Sequence, residues 1–154
     1  MIETPKILHT ESQQTAVIPL VVPRAEIQQV MGPGIDELIQ TLATQGIAPQ
    51  GAVFTHHFHI TPDTFDFEIG VPVGSAVSSA GRVRPGWLRG GTVARTIYFG
   101  GYEGLSEAWS EFGAWIAAEG LTPASDLWES YLIGPESELD ALHWQTELVR
   151  PLIP

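Results

Sequence analysis

Two short segments carry the side chains with the most chemistry. Asp126 to Ile133 (DLWESYLI) sets Glu129 and Tyr131 two residues apart, and Val53 to His59 (VFTHHFH) does the same with Thr55 and His57. In an extended chain, residues two apart share a face. One face of the later segment therefore holds Leu127, Glu129, Tyr131 and Ile133, and the other holds Trp128, Ser130 and Leu132. In the earlier segment Val53, Thr55, His57 and His59 oppose Phe54, His56 and Phe58. The bulky apolar set (Phe54, Phe58, Trp128, Leu132) is expected to meet helices, leaving Thr55, His57, Glu129 and Tyr131 on the remaining face. A carboxylate among aromatics suits a cationic or aromatic ligand, through charge pairing and cation–π attraction. Burial there would raise the pKa of Glu129, and such a carboxyl can also serve as a general acid or base.

Plainer readings apply to the same residues: a solvent-facing strand glutamate, a core tyrosine, a hydrogen-bonded histidine. His56, His57 and His59 resemble a metal cluster, but only His57 and His59 share a face and the strand offers no carboxylate, so no metal site is assigned. Trp109, Phe112 and Trp115 fall at helical spacing and read as core. Glu68 and Glu147 fit solvent exposure or structural hydrogen bonding. Neither Gly32-Pro33-Gly34 nor Gly100-Gly101 matches a phosphate-binding fingerprint, and no Gly-x-Ser-x-Gly elbow is present. VPRAEIQQVMGPGIDELIQ has the outline of a helix-turn-helix, but Arg24 is its only cation.

The elements that must position these residues recur. LIQTLATQGIAPQGAVFTHHFHI, from Leu38, aligns without a gap with FGAWIAAEGLTPASDLWESYLIG, from Phe112: Gly46 meets Gly120, Pro49 meets Pro123, Phe54 meets Trp128 and His57 meets Tyr131. FEIGVPV, from Phe67, likewise pairs with TELVRPL, from Thr146, matching Glu68 to Glu147 and Pro72 to Pro151. The pattern predicts a duplicated unit of roughly 75 residues. Ile27, Val30, Met31, Ile35, Leu38, Ile39 and Leu42 form one apolar stripe, which predicts a single helix kinked at Pro33. Leu105, Ala108, Trp109, Phe112, Trp115 and Ile116 form the matching stripe. Gly46 and Gly120 suit left-handed C-caps. Strands are predicted at Thr15–Val21, Val53–His59, Phe65–Val71, Thr92–Phe99, Asp126–Ile133 and His143–Val149, with a short one around Arg82 to Arg84. The expected fold is α+β: a pseudo-twofold duplication of a strand-helix-strand-strand unit, with antiparallel sheets, a helix on each and a ligand cleft between units. The expected limits are about 1–73 for the first unit, 74–91 for the connection and 92–154 for the second.

Composition narrows the function. The chain has 154 residues, 44% hydrophobic and 16% charged, with mean hydropathy +0.08, enough apolar material for a core. A net charge of −11 repels nucleic acid and anionic membranes. With no cysteine, disulfides, thiol catalysis and Cys-based zinc sites are ruled out. No run approaches the ~18 apolar residues of a membrane helix. MIETPKILHTESQQ lacks a basic start and an apolar core, so a cytoplasmic location is expected.

GGYEGLSEAWSEFGAWIAAEGLTP, DLWESYLIGPES and HWQTELVRPL, in this order, carry a resemblance that covers nearly the whole chain. They resemble the GyrI-like small-molecule-binding domains, which also occur as effector-binding domains of AraC-type and multidrug-responsive regulators. The resemblance implies strand-helix-strand-strand units around a shared cleft, with Glu129 facing bound ligands and Tyr131 beside it. It implies a stand-alone member that binds hydrophobic, aromatic or cationic compounds without a cofactor. The alternative it implies is a hydrolase of cyclopropane-containing electrophiles, with Glu129 and Tyr131 as catalytic residues and His57 as a second proton-transfer group. Ligand contacts are expected at Glu129, Tyr131, Thr55 and His57. A protein partner, gyrase or a regulator, is a third reading.

Overall fold

A computed structural model describes residues 1–61, 63–135 and 137–153, with the side chains of residues 59 and 60 also outside the description. The chain forms two compact units. One, here the first unit, spans Glu11–Gly90. The second joins Met1–Thr10 to the chain from Gly91 onward.

In the first unit β2 (Gln13–Pro23) leads through a 3₁₀ turn into helix α1 (Ile27–Thr44), followed by β3 (Phe54–Ile60), β4 (Thr64–Pro72) and β5 (Arg84–Leu88). The antiparallel strand order is β3-β4-β2-β5. Helix α1 is continuous through Pro33. Gly34 lets it approach the sheet, since a Cβ there would meet Ile69 Cδ1 at 2.7 Å. Leu38 and Leu42 of α1 are fully buried with Ala16, Ile18, Phe67, Ile69 and Val71. Ile39, grouped with the stripe by its spacing, is 37% exposed.

The second unit repeats that order. β6 (Gly91–Phe99) leads through a 3₁₀ turn at Tyr102–Gly104 into α2 (Leu105–Ala118), then β8 (Leu127–Ile133) and β9 (Gln145–Ile153). The strand order is β1-β6-β9-β8, where β1 is Lys6–Thr10 and the two-residue β7 (Thr122–Pro123) pairs with β9. Strands β1 and β7 are too short to leave a periodicity in the sequence. Residues 1–10, which the sequence groups with the first half, pair with β6 instead. Ala108, Phe112 and Ile116 of α2 pack on Ala94, Tyr98 and Leu148.

Local details match between the units. Each helix ends in the same cap: Gly46 and Gly120 both have φ of 71°. Ile47 N–H donates to Leu42 O and Leu121 N–H to Ile116 O, while Gly46 and Gly120 donate to Ala43 O and Ala117 O. This is the Schellman pattern, with the apolar residue after the glycine packed on the last turn. The registers also agree: Thr55 faces Ile69 and His57 faces Phe67 in one unit, Glu129 faces Leu148 and Tyr131 faces Thr146 in the other. Irregularities fall at matched places, between His57 and His59 and between Tyr131 and Ile133.

One expectation is inverted. Ile69, Phe67 and Leu148 belong to the helix-packed cores. Residues directly opposite in a ladder share a face, so Thr55, His57, Glu129 and Tyr131 lie on the helix side. Phe54 and Trp128 lie on the other. Phe54 covers Gly70, where a Cβ would meet its Cζ at 2.5 Å, and Trp128 stands opposite Val149. Both sheet faces are buried at these points: Phe54 is 1% exposed and Trp128 6%. Bulk alone therefore does not tell which face meets the helix.

Candidate functional site

In the second unit, alternation along β8 places Glu129 and Tyr131 under the first turns of α2. The Glu129 carboxyl accepts two neutral donors. Trp109 Nε1–H reaches Oε2 at 2.6 Å, and the Tyr131 hydroxyl reaches Oε1 at 2.8 Å. Glu129 is buried, and among the described residues no cation pairs with it. Burial pushes its pKa up, and the two hydrogen bonds, which favour the charged form, offset only part of that.

Further aromatic rings extend from the two donors. Tyr131 meets Tyr102 edge-on at 5.7 Å, Tyr102 meets Trp144 at 5.0 Å, and Trp109 meets Phe112 at 5.7 Å. Trp144 is fixed through its indole N–H to Glu138 O at 2.7 Å. Tyr102 is placed by the turn that opens α2. The Tyr98 hydroxyl donates to Gly101 O at 2.7 Å, and it fills the space beside Gly104, where a Cβ would come within 2.1 Å of it. Only glycine permits that approach.

In the first unit Thr55 and His57 meet each other. His57 Nε2 lies 3.1 Å from Thr55 Oγ1, and both residues are buried. The imidazole stacks on Phe67 at 5.1 Å and meets Phe65 edge-on at 5.5 Å, while the Arg24 guanidinium lies 4.4 Å over Phe65. Burial, with smaller contributions from His56 and Arg24, lowers the His57 pKa to about 4, so the ring is neutral at pH 7.

Glu147 bonds to Arg95 on β6, the structural role its spacing allows. Glu68 is half-buried, and burial together with Asp66 raises its pKa. The His59 side chain lies outside the described residues. Trp109 is one site residue that the sequence misses. Its helical spacing reads as core, and the only cue to more is an indole N–H at the margin of the apolar stripe. Tyr102 and Trp144 were also missed; their role depends on a turn and a loop that carry no periodicity.

Comparison with known proteins agrees with this architecture. The GyrI-like small molecule binding domain family matches residues 3–152. The EcmrR C-terminal domain superposes with a TM-score of 0.86 at 18% identity, covering 97% of each chain. In the EcmrR–DNA complex in EcmrR-RPo, the chain covers only 57% of the EcmrR chain, at a TM-score of 0.85. SAV2435 bound to tetraphenylphosphonium superposes at 0.62 with 13% identity, covering 98% of this chain and 94% of that one. A hydrolase from Listeria innocua superposes at 0.67 with 12% identity, covering 97% and 91%. No curated protein matches. Among the described residues no helix is long and apolar enough to cross a membrane. The chain belongs to the GyrI-like small-molecule-binding domain family.

Proposed function

We propose that this GyrI-like domain binds hydrophobic aromatic compounds, cationic ones above all, at Glu129. One observation carries the reading: a buried carboxyl, held only by neutral donors and ringed by Tyr131, Trp109 and Tyr102, has no protein counterion among the described residues. A lipophilic cation would supply the missing charge, and the ring faces would add cation–π attraction. The structural likeness to SAV2435 bound to tetraphenylphosphonium supports the choice of probe. Thr55 and His57 are proposed as contacts for a neutral polar ligand group, because His57 Nδ1 is buried without a hydrogen-bond partner among the described residues.

The test is calorimetric titration with tetraphenylphosphonium. Saturable binding is expected, weakened at least tenfold, about 1.4 kcal/mol, in Glu129→Gln. Equal affinity in wild type and variant would sink the reading.

Hydrolysis is the second reading. It is favoured by a carboxyl whose pKa is raised by burial, with a phenol at 2.8 Å. As water adds to the electrophilic ring carbon and the strained C–C bond breaks, protonated Glu129 would give its proton to the departing atom and its carboxylate would then take one from the added water, or ionised Glu129 would take the water's proton first, with Tyr131 assisting. Mass spectrometry of a cyclopropane-containing substrate would show turnover in wild type and none in Glu129→Gln. Turnover unchanged in the variant removes Glu129 from the chemistry.

A further inference from the structure

A buried polar atom without a partner is uncommon in a native fold, and each one marks something strained or something absent. In the second unit one such atom is the Thr146 hydroxyl. The residue is 0% exposed, and Oγ1 has no hydrogen-bond partner among the described residues. Ladder register locates it. Thr146 stands opposite Tyr131 on β8 and opposite Tyr98 on β6, on the same face as Leu148 and Glu129. Directly opposed residues have β-carbons about 5 Å apart, so Thr146 lies beside Tyr131, the residue that bonds Glu129, on the helix-facing side of the sheet. The two phenols that flank it are engaged elsewhere, Tyr131 with Glu129 and Tyr98 with Gly101 O. Valine has the same shape and would leave nothing unpaired, so packing alone does not call for threonine here. At the matched position of the first unit the residue is the apolar Phe67.

We propose that the Thr146 hydroxyl is a ligand contact of the Glu129 site, selecting, among cationic aromatic compounds, those that carry a hydroxyl or carbonyl beside the charge. A hydroxyl both donates and accepts, so it serves either group. The inference rests on the ligand-binding reading above and adds to it a polar specificity determinant.

A matched probe set separates the two. Tetraphenylphosphonium has no hydrogen-bonding atom, whereas its 2-, 3- and 4-hydroxyphenyl analogues add one to the same cation. In wild type at least one isomer is expected to bind about fivefold tighter than the parent, the range of one net hydrogen bond. In Thr146→Val the ratio of isomer to parent affinity falls to about one, and in Thr146→Ser it returns. Equal binding of all four probes by wild type, or an advantage that persists in Thr146→Val, overturns the inference. Failure of all four to bind wild type overturns the ligand-binding reading itself, and this inference with it. The comparison within wild type holds even if the valine variant folds poorly.

Discussion

The two units place different chemistry on one scaffold. Under the sequence alignment Glu129 corresponds to Thr55, Tyr131 to His57 and Trp109 to Ile35. Caps, ladder register and strand irregularities coincide, so the backbone is not what distinguishes them. In the second unit a buried acid is held by an indole and a phenol. In the first a neutral imidazole stacks on Phe67 and meets a threonine hydroxyl. The same strand face under the helix thus holds a latent negative charge in one unit and, at the next position along that face, a suppressed positive charge in the other. Burial works against ionisation in both, with opposite consequences for pH.

The largest expected effect tests that opposition. The unfolded chain protonates His57 near 6.5, whereas the folded chain resists until about 4. The unfolded state therefore binds the extra proton between those values. The contribution is complete above pH 6.5 and is lost as pH falls toward 4, by about 3 kcal/mol. Chemical denaturation of His57→Phe against wild type across this window should show the loss in wild type only; parallel curves would refute it. Glu129 runs the other way. Its folded pKa lies above the ordinary value of 4.5, so its stabilising contribution is present below 4.5 and is lost as pH rises through the folded value. Glu129→Gln can turn its amide oxygen to the Trp109 N–H and its amide N–H to the Tyr131 oxygen, which then accepts instead of donating, and should be the more stable protein at pH 7 while binding tetraphenylphosphonium at least tenfold less well. A variant less stable than wild type at pH 7 would mean that the hydrogen bonds outweigh burial.

The smallest effect sharpens what is common to both units. Gly46→Ala and Gly120→Ala meet open space but must hold a left-handed backbone, and each should cost about 1 kcal/mol. Thermal melts giving clearly unequal losses would show that the two caps are not equivalent.

Much of this was legible in the residues. Gly46 and Gly120 announced the helix ends because positive φ leaves glycine as the natural choice, and alternation grouped Glu129 with Tyr131 and Thr55 with His57. Alternation does not say which face a helix covers. Phe54 and Trp128 looked helix-facing because bulk usually marks the core, but both faces are buried here. Trp109 was hidden for a related reason, since a residue at the margin of an apolar stripe has the same spacing as one at its centre. Strand β1 escaped because its pairing with β6 spans some eighty residues, a separation over which local pattern is silent.

The glycine at 104 has a consequence for drift in this lineage. Because the Tyr98 phenol occupies the hollow beside it, one added methyl at Gly104 would push the helix entrance away and carry Tyr102 with it, without touching Glu129. A descendant with that change would keep its acid and lose the ring that Tyr102 sets against Tyr131, and a survey scoring only the glutamate would pass over the difference.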